Sequence, residues 1–446
     1  MDMRDDMERD KPATLIIGAG IAGIQAALDI AAAGYQVYLV EREPSVGGRM
    51  SQLDKTFPTL DCSACILTPK MVDVGRHPNI ELLTYCEVVS VEKRGDTFHT
   101  RVRKKPRYVD VDTCTGCGDC AAACRMKGRV SSDFDEGIAK RSAVYVPFPQ
   151  AVPLKYTIDP NACLYLTRGR CGKTFKCKDA CPAGAIDFEQ QEEFLDLDVA
   201  AVIVATGYDL IDPRTKPEFG YGIYPGVMTG IEFERMSSAS GPTMGKILVN
   251  GKKPKDVVFI KCVGSRDSHT GVPYCSRFCC MYTAKHAHLV RDKAPKANIT
   301  VFYMDVRAFG KGYEEFYDRV KHERVTYRRG EPSEIYRRGK KLLVLAEDTM
   351  LGQPVEVEAD LVVLATAAVP RSDAQEVAAK LGLTLSEDGF FQEAHAKFRP
   401  VDTLVEGVFL AGSGQGPKDI PDTVAHAKAA ASSALRVMAR REREQT

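Results

Sequence analysis

The feature that most constrains this chain is a strand, turn, helix and strand pattern near its start. Residues 14–41 read TLIIGAGIAGIQAALDIAAAGYQVYLVE, in which Gly18, Gly20 and Gly23 have the spacing GxGxxG. We expect a strand at the start, a helix over 24–33 and a second strand after it. The glycines allow a tight turn and let the backbone approach a pyrophosphate, which the free N–H groups of the helix N-terminus can bind.

An acidic residue completes this motif. Glu41 ends the second strand, where its carboxylate can accept hydrogen bonds from a ribose 2′-OH. A glycine-rich turn without a ligand is the competing interpretation. It is disfavoured because the motif follows a strand, opens a helix and has its acid at the expected distance.

Three later apolar runs, at 201–205, 257–261 and 361–365, have the continuous pattern of strands that are covered on both faces. Strands that alternate with helices predict an α/β fold with parallel sheets, and a last helix is expected over 424–443. Between about 106 and 190 the chain becomes rich in cysteine, glycine and proline. This composition is typical of a small inserted domain held by metal centres. The predicted division is a FAD-binding domain in three parts (1–105, 191–250 and 356–446), an insert (106–190) and a second domain (251–355).

The number of cysteines limits the functions that this chain can have. The chain has 15 cysteines, and its charged start, MDMRDDMERDKP, has no apolar core that could act as a signal peptide or anchor. A cytoplasmic protein is therefore expected, in which so many thiols indicate metal or redox chemistry. The net charge of +1 gives no indication of nucleic-acid binding, and no membrane insertion is predicted.

Two cysteine motifs in the insert have the spacing of bacterial ferredoxins, and the second ends in Cys181-Pro182 with longer loops between its ligands. Ferredoxins exchange the fourth ligand between two clusters. A zinc site would leave half of these thiols unused, which disfavours it. One [4Fe–4S] cluster is therefore predicted to use Cys114, Cys117, Cys120 and Cys181, and the other Cys163, Cys171, Cys177 and Cys124.

A third set of cysteines follows the apolar run at 257–261: Cys262, Cys275, Cys279 and Cys280. Spacing alone favours buried structural thiols, since free cysteine packs as a small hydrophobic residue. Cys86, at a predicted strand end, is interpreted in the same way.

Three further segments are Gly47-Gly48-Arg49, Ala205-Thr206-Gly207 and GVFLAG at 407–412. They resemble segments of the two-dinucleotide-domain flavoproteins that include thioredoxin and glutathione reductases, in which they surround one FAD. The resemblance implies that FAD contacts Gly18, Gly20, Gly23, Glu41, Arg42, Gly47, Gly48, Arg49, Thr206, Gly207 and Gly412. Ser413 departs from the family, many members of which have an aspartate there.

Two further positions bear on the redox chemistry that this resemblance implies. The second domain of these flavoproteins opens with its own GxGxxG for NAD(P)H, but here the strand is followed by Cys262-Val-Gly264. We expect that ordinary NAD(P)H binding is lost, with a divergent nucleotide site as the alternative. Cys62 and Cys65 lie close to where disulfide reductases have a flavin-facing dithiol, so a redox dithiol and inert thiols both remain open.

A more specific resemblance covers nearly the whole chain. The segments TLDCSACILTPKM, YVPFPQAVP, CPAGAIDFEQ, CVGSRD and YCSRFCCMYTAKHA resemble HdrA, the flavoprotein component of heterodisulfide reductase. That family combines a thioredoxin-reductase-like FAD core with an inserted two-cluster ferredoxin domain. The resemblance implies that the third cysteine set binds a further [4Fe–4S] cluster and that Lys285 lies near the flavin.

The implied function is that of an electron-transfer component in a multi-subunit oxidoreductase. Methanogen members continue into a C-terminal ferredoxin region, so the expectation is a short form that ends at Thr446, which leaves the usual wiring for electron bifurcation or confurcation incomplete. Implied partners resemble HdrB and HdrC, the other heterodisulfide reductase components, or a small hydrogenase-type iron–sulfur protein. Ferredoxin, a homodimeric core and a location peripheral to a membrane complex are further expectations. Two alternatives remain: a self-sufficient NAD(P)H oxidoreductase similar to the small component of glutamate synthase, and a non-enzymatic cluster relay or scaffold.

Overall fold

The structure is a computed structural model that describes residues 11–445. Its strands, in chain order, are β1 (Thr14–Ile17), β2 (Val37–Glu41), β3 (Lys55–Thr56), β4 (Asp61–Cys62), β5 (Ile80–Thr84), β6 (Cys86–Arg94), β7 (Thr97–Lys104), β8 (Val130–Ser131), β9 (Lys140–Arg141), β10 (Val144–Tyr145), β11 (Thr157–Ile158), β12 (Glu193–Val199), β13 (Ala201–Val204), β14 (Tyr208–Leu210), β15 (Val227–Thr229), β16 (Asp256–Val263), β17 (Asn298–Tyr303), β18 (Val325–Arg329), β19 (Pro332–Arg338), β20 (Lys341–Asp348), β21 (Gln353–Ala359), β22 (Leu361–Thr366), β23 (Ala368–Pro370) and β24 (Val408–Leu410).

The helices, in the same order, are α1 (Ile21–Ala32), α2 (Ser63–Arg76), α3 (Asp119–Ala123), α4 (Leu164–Arg168), α5 (Lys176–Asp179), α6 (Gly230–Ser237), α7 (Cys279–Lys293), α8 (Tyr313–His322), α9 (Ala374–Leu381) and α10 (Ile420–Gln445). Within the described residues, every helix is too short or too polar to cross a lipid bilayer.

The first large sheet has five parallel strands in the order β24-β13-β1-β2-β5. Helices α1, α2 and α10 bury their apolar residues against it in one core. The predicted strand at 14–17 is confirmed, whereas helix α1 begins at Ile21, inside the glycine motif and earlier than predicted. The helix can start there because Gly23 has no side chain; a Cβ atom at this position would lie 1.9 Å from the carbonyl oxygen of Gly18. Helix α10 likewise begins at Ile420, four residues before the predicted 424.

The second large sheet also has five parallel strands, in the order β15-β22-β16-β17-β18. Strands β15 and β22 come from ranges that the sequence assigns to the FAD-binding domain, so this unit extends beyond residues 251–355 at both ends. Pairing between distant segments decides this membership, and an apolar run does not show which sheet it joins. The short ribbon β14–β23 connects the two units, because each of its strands lies in a segment that passes between them.

The insert contains only short elements, as the sequence predicts. Strands β8 and β9 pair, as do β10 and β11, and helices α3 to α5 have four or five residues each. A β-bridge between Val109 and Ile186 joins the two ends of the insert. Its small core packs Cys114, Cys120 and Cys163 with apolar residues, so thiols occupy much of the centre of this domain.

Candidate functional site

One large cavity, with a volume of about 1180 Å³, lies where the first sheet, the insert and the second domain meet. Its walls include the turn at Gly18 and Gly20, residues 132–136 of the insert, and Tyr282 and Lys285 of helix α7. A cavity of this size is typical of a site for a large cofactor.

The glycine motif opens into this cavity at the end of strand β1. Gly18 has a φ of 102°, and a Cβ atom there would lie 2.5 Å from the carbonyl oxygen of Ala205. Glu41 accepts hydrogen bonds from the backbone N–H groups of Ala19 (2.8 Å) and Glu43 (2.9 Å). Burial raises the pKa of this carboxyl group, against those two hydrogen bonds. Glu41 therefore holds the turn in place and also lines the cavity.

The other residues predicted to contact FAD line the same cavity in most cases. Gly48 approaches Gly20 so closely that a Cβ atom would lie 2.9 Å from the Gly20 Cα atom. Arg49 pairs with Glu136 of the insert at 2.6 Å, and Arg42 pairs with Asp373 at 2.5 Å. The cavity lining also includes Thr206 and Gly207, as well as Ser413 at the position where the sequence departs from the family.

Two details show that this lining fits FAD. The hydroxyl oxygen of Thr206 is buried and has no hydrogen-bond partner among the described residues, as expected for a group that contacts a ligand. The glycines at 18 and 48 let the turn pack against Ala205 and Gly20, where side chains would not fit. A tight glycine turn of this kind is what allows backbone to approach a pyrophosphate. Gly47 and Gly412 lie beside the lining residues Gly48 and Ser413, and the Gly412 N–H donates to Nδ1 of His426 at 3.0 Å.

A buried charged triad borders the cavity on the side of the second domain. Glu234 of helix α6 accepts hydrogen bonds from Lys285 and His286 of helix α7, and Lys285 also donates to the carbonyl oxygen of Lys55 at 2.7 Å. Burial alone would raise the pKa of Glu234, but the charges and hydrogen bonds of Lys285 and His286 lower it to about 2. Burial lowers the pKa of His286, which favours its neutral form.

The family resemblance of the sequence indicates Lys285 but neither of its two partners. Glu234 lies in the helix GIEFERMS, where the capping box of Thr229 and Glu232 marks only the helix start. The sequence does not single out His286, since a single histidine on a helix is usually structural. No local pattern could pair Glu234 with Lys285 across 51 residues.

The eight cysteines of the insert lie in two groups. After burial, the next causes that raise the pKa of Cys120, to about 12, are its neighbours Cys181, Cys114 and Cys117. A small cavity in the insert is lined by the other four thiols, Cys124, Cys163, Cys171 and Cys177. The two groups have the membership that the ferredoxin rule predicts; whether they bind clusters remains a prediction.

The third cysteine set lies at the carboxyl end of strand β16 and the N-terminus of helix α7. Cys262 has a φ of 61° at an irregularity of the β16–β22 pairing, a conformation that is uncommon for residues with a side chain. Hydrogen bonds with Cys262 and Cys280, together with burial, raise the pKa of Cys279. Cys275 and Cys280 both lie near Arg307, whose pKa is raised first by Asp305 and less by these thiols. Cys279 and Cys280 begin helix α7, and Cys262 lies within hydrogen-bonding distance of Cys279, so these three thiols are adjacent. Thiols are the usual ligands of [4Fe–4S] clusters.

Two tyrosines lie between the cavity and these thiols. Tyr156 lines the cavity, and its pKa is raised by burial first and then by Cys120 and Cys117. Tyr282 also lines the cavity, and its pKa is raised by burial first and then by Cys279. The cavity therefore extends from the neighbourhood of the first cysteine group to that of the third.

The remaining cysteines differ from each other in exposure. Cys62 and Cys65 form a disulfide at the N-terminus of helix α2, and both residues are exposed. Neither lines the large cavity. Cys86 is buried at the start of strand β6, and burial raises its pKa to about 11, which fits a packed thiol.

The fold and the cavity define a flavoprotein of the two-dinucleotide-domain class. Residues 14–60 match the profile of the family described as FAD dependent oxidoreductase. Among solved structures, Lactococcus lactis thioredoxin reductase in its FR conformation is similar in fold, with a TM-score of 0.52 and 16% identity. That likeness covers 96% of this chain and all of the reductase.

Sequence comparison gives the particular family. The chain is 52% identical over 434 residues to the HdrA component of the H(2):CoB-CoM heterodisulfide,ferredoxin reductase of Methanothermobacter marburgensis, covering 96% of this chain and 64% of the relative. It is 54% identical over 430 residues to an iron-sulfur component of the same HdrA type from the CoB--CoM heterodisulfide reductase of Methanopyrus kandleri, covering 95% and 64%. The chain belongs to the HdrA-like family of heterodisulfide reductase components and spans less than two thirds of the length of these two relatives.

Proposed function

We propose that this chain is the FAD- and iron–sulfur-containing electron-transfer component of a heterodisulfide-reductase-type oxidoreductase complex. The observation that carries the proposal is the large cavity, which has the glycine turn in its wall and, at separate positions along it, Tyr156 near Cys120 and Tyr282 near Cys279. When bound there, FAD supplies the exchange between two-electron and one-electron transfer. The names of the curated relatives, which include iron-sulfur subunits, support the same function.

In this proposal the backbone at Gly18 and Gly20 binds the pyrophosphate and Glu41 binds a ribose. Thr206 and Arg49 orient the rest of FAD, and Lys285 provides a positive charge and a proton donor at the flavin. Glu234 holds the Lys285 ammonium at the cavity wall, where burial keeps water from competing for it.

The cysteines hold the clusters that relay electrons between the flavin and partner proteins. We assign two [4Fe–4S] clusters to the insert, with Cys181 completing the group of Cys114 and Cys124 completing the group of Cys163. A third cluster is assigned to the set that contains Cys279. The partners we propose resemble HdrB and HdrC or a small iron–sulfur protein, with reduced ferredoxin as a one-electron donor or acceptor.

The exposed disulfide of Cys62 and Cys65 is assigned a separate role in thiol–disulfide exchange. In this step a dithiol of a partner protein attacks one sulfur and is itself oxidised to a disulfide, while Cys62 and Cys65 become thiols. Their exposure at a helix N-terminus, which favours a thiolate, supports this assignment.

The proposal is tested by rapid mixing of reduced ferredoxin with the anaerobically purified protein, with flavin absorbance as the readout. We expect ferredoxin to bleach the flavin, and we expect Cys181→Ser or Cys279→Ser to slow this step at least about tenfold because a relay cluster is lost. Cys86→Ser is the matched control, since this buried thiol lies outside the three groups. Equal rates in the native protein and both cluster variants would contradict the relay.

A further inference from the structure

The buried side chain of Lys261 lies beside the third cysteine set. It is 3% exposed, and its Nζ atom donates to the sulfur of Cys280 at 3.3 Å and to the carbonyl oxygen of Asp305 at 3.2 Å. The ring of Tyr303 lies below it, with its centroid 5.2 Å from Nζ. In the part of the chain that the structure describes, no carboxylate forms an ion pair with Lys261. The carboxylate of Asp305 is paired with Arg266 and Arg307 instead.

A buried ammonium without a carboxylate partner needs another source of negative charge. Removing a cation from water is unfavourable unless an anion compensates it. The sulfur in contact with Lys261 is that of Cys280, in the set with Cys262 and Cys279, and it would be a thiolate as a cluster ligand. Four thiolates around a [4Fe–4S] cluster carry a net negative charge that increases when the cluster accepts an electron.

We propose that Lys261 is the counter-charge of an iron–sulfur cluster at Cys262, Cys275, Cys279 and Cys280, and that it raises the reduction potential of this cluster. The ammonium stabilises the reduced cluster more than the oxidised cluster, because the reduced cluster is more negative. Hydrogen bonds to the sulfur atoms and burial are the main means by which a protein sets such potentials. Lys261 provides a hydrogen bond to a sulfur atom at a buried position.

This role follows from the geometry of the second domain. Lys261 directly precedes Cys262 in strand β16, so its side chain is placed by the same strand end that presents the thiol. The corresponding lysine at the first group, Lys155, donates to the backbone carbonyl oxygen of Cys114 at 2.6 Å and is only partly buried. Lys261 should therefore raise the reduction potential of the third cluster relative to that of the cluster at Cys114. This difference would favour electron transfer from the flavin towards the third cluster.

The inference rests on the third cluster of the proposed function, so the experiment first counts that cluster. Iron and acid-labile sulfide are measured in the anaerobically purified full chain and in Cys279→Ser, followed by redox titration monitored by EPR. The signal that disappears in Cys279→Ser belongs to the third cluster. The titration is repeated on Lys261→Gln and Lys261→Arg, with the exposed Lys252→Gln as the matched control in the same domain.

We expect Lys261→Gln to lower the potential of the third cluster enough to change its ratio of reduced to oxidised form about tenfold at a fixed potential, which is 59 mV for one electron. Lys261→Arg, which keeps the charge, and Lys252→Gln should stay within about threefold of the native ratio, which is roughly half that shift. The potentials of the two clusters in the insert should not change.

The other outcomes also decide the question. An unchanged potential in Lys261→Gln with full iron content would overturn the role of Lys261 and leave the third cluster in place. Loss of the third cluster in Lys261→Gln but not in Lys261→Arg would support the counter-charge, whereas loss in both would overturn it. Equal iron in the native protein and Cys279→Ser would remove the third cluster, while flavin and the clusters of the insert would still support the proposed electron-transfer function.

Discussion

The two large sheets of this protein have the same architecture but different residues at the corresponding place. In the first, strand β1 ends at Ile17 and helix α1 begins at Ile21, with the glycine turn between them. In the second, strand β16 ends at Val263 and helix α7 begins at Cys279. Both sheets are parallel, and in both the residues of interest lie at the carboxyl end of a central strand and the N-terminus of the helix that follows.

In our proposal, this one structural position serves two kinds of cofactor. At the first sheet the absence of side chains at Gly18 and Gly20 leaves space for an anionic pyrophosphate against backbone N–H groups. At the second sheet Cys262 and Cys279 stand at the corresponding strand end and helix start, and as cluster ligands their sulfur atoms would carry the negative charge. The positive end of a helix dipole stabilises phosphates and thiolates alike, so the fold need not change when the ligand does.

The largest expected effect comes from a side chain placed in the glycine turn. Gly18→Ala should abolish FAD binding, because a Cβ atom there would lie 2.5 Å from the Ala205 carbonyl oxygen at a φ of 102°. Flavin content per chain after anaerobic purification measures the effect. Gly251→Ala is the control, since its φ is 75° but nothing lies within 4 Å, and it should keep its flavin. Full flavin in Gly18→Ala would show that this turn does not hold the cofactor.

The second largest effect should occur at the other sheet and spare the flavin. Cys279→Ser should lower the iron content from about twelve to about eight per chain, because one of three [4Fe–4S] clusters loses a ligand. Flavin content should stay constant, whereas in Gly18→Ala it should fall. Cys86→Ser should change neither. Unchanged iron in Cys279→Ser would show that the thiols at the second sheet are structural.

A smaller effect should come from the triad where the two units meet. Glu234→Gln leaves Lys285 buried without its partner, so the free energy of unfolding at neutral pH should fall by roughly 3–5 kcal/mol. Denaturant unfolding measures it. Glu323→Gln is the control, because the pair of Glu323 with His288 is partly exposed and should contribute about 1 kcal/mol or less. Equal losses in both variants would contradict a special role for the buried triad.

The same triad predicts a pH dependence. The pKa of Glu234 is about 2 in the folded protein against an ordinary value of 4.5, so its contribution is complete above about pH 4.5 and is lost as the pH falls towards 2. His286, whose pKa is also lowered, adds a loss of stability as the pH falls below 6.5. The slope of stability against pH between about 5 and 3 should therefore be shallower in Glu234→Gln than in the native protein. An identical slope would contradict the assignment.

The smallest expected effect is that of pyridine nucleotides. NADH and NADPH should not bleach the flavin in anaerobic stopped-flow experiments, because the connection from strand β16 to helix α7 has cysteines and no GxGxxG motif. Dithionite serves as the positive control for a reducible flavin. Rapid bleaching by either nucleotide would contradict the loss of NAD(P)H binding at the second sheet and favour the NAD(P)H-dependent alternative.

The sequence predicted the parts of this molecule that depend on short-range spacing. The residues of strand β1 and the glycine turn follow one another within a few positions, so their local geometry is readable. The ferredoxin spacing likewise predicted that Cys124 and Cys181 exchange groups, and the structure groups the thiols in that way. The expected start of helix α1 was late because Gly23, which lowers helix propensity, is the residue that lets this helix pack closely against Gly18.

Tertiary structure alone decided which distant segments meet. Strand β22 joins the second sheet rather than the first, Glu234 meets Lys285 across 51 residues, and Lys261 reaches the sulfur of Cys280 across 19. Such contacts depend on sheet order and helix placement, which arise from hydrogen bonds and packing between segments far apart in the chain. The sequence therefore identified the residues that can bind FAD and clusters, and the fold determined which charges surround them.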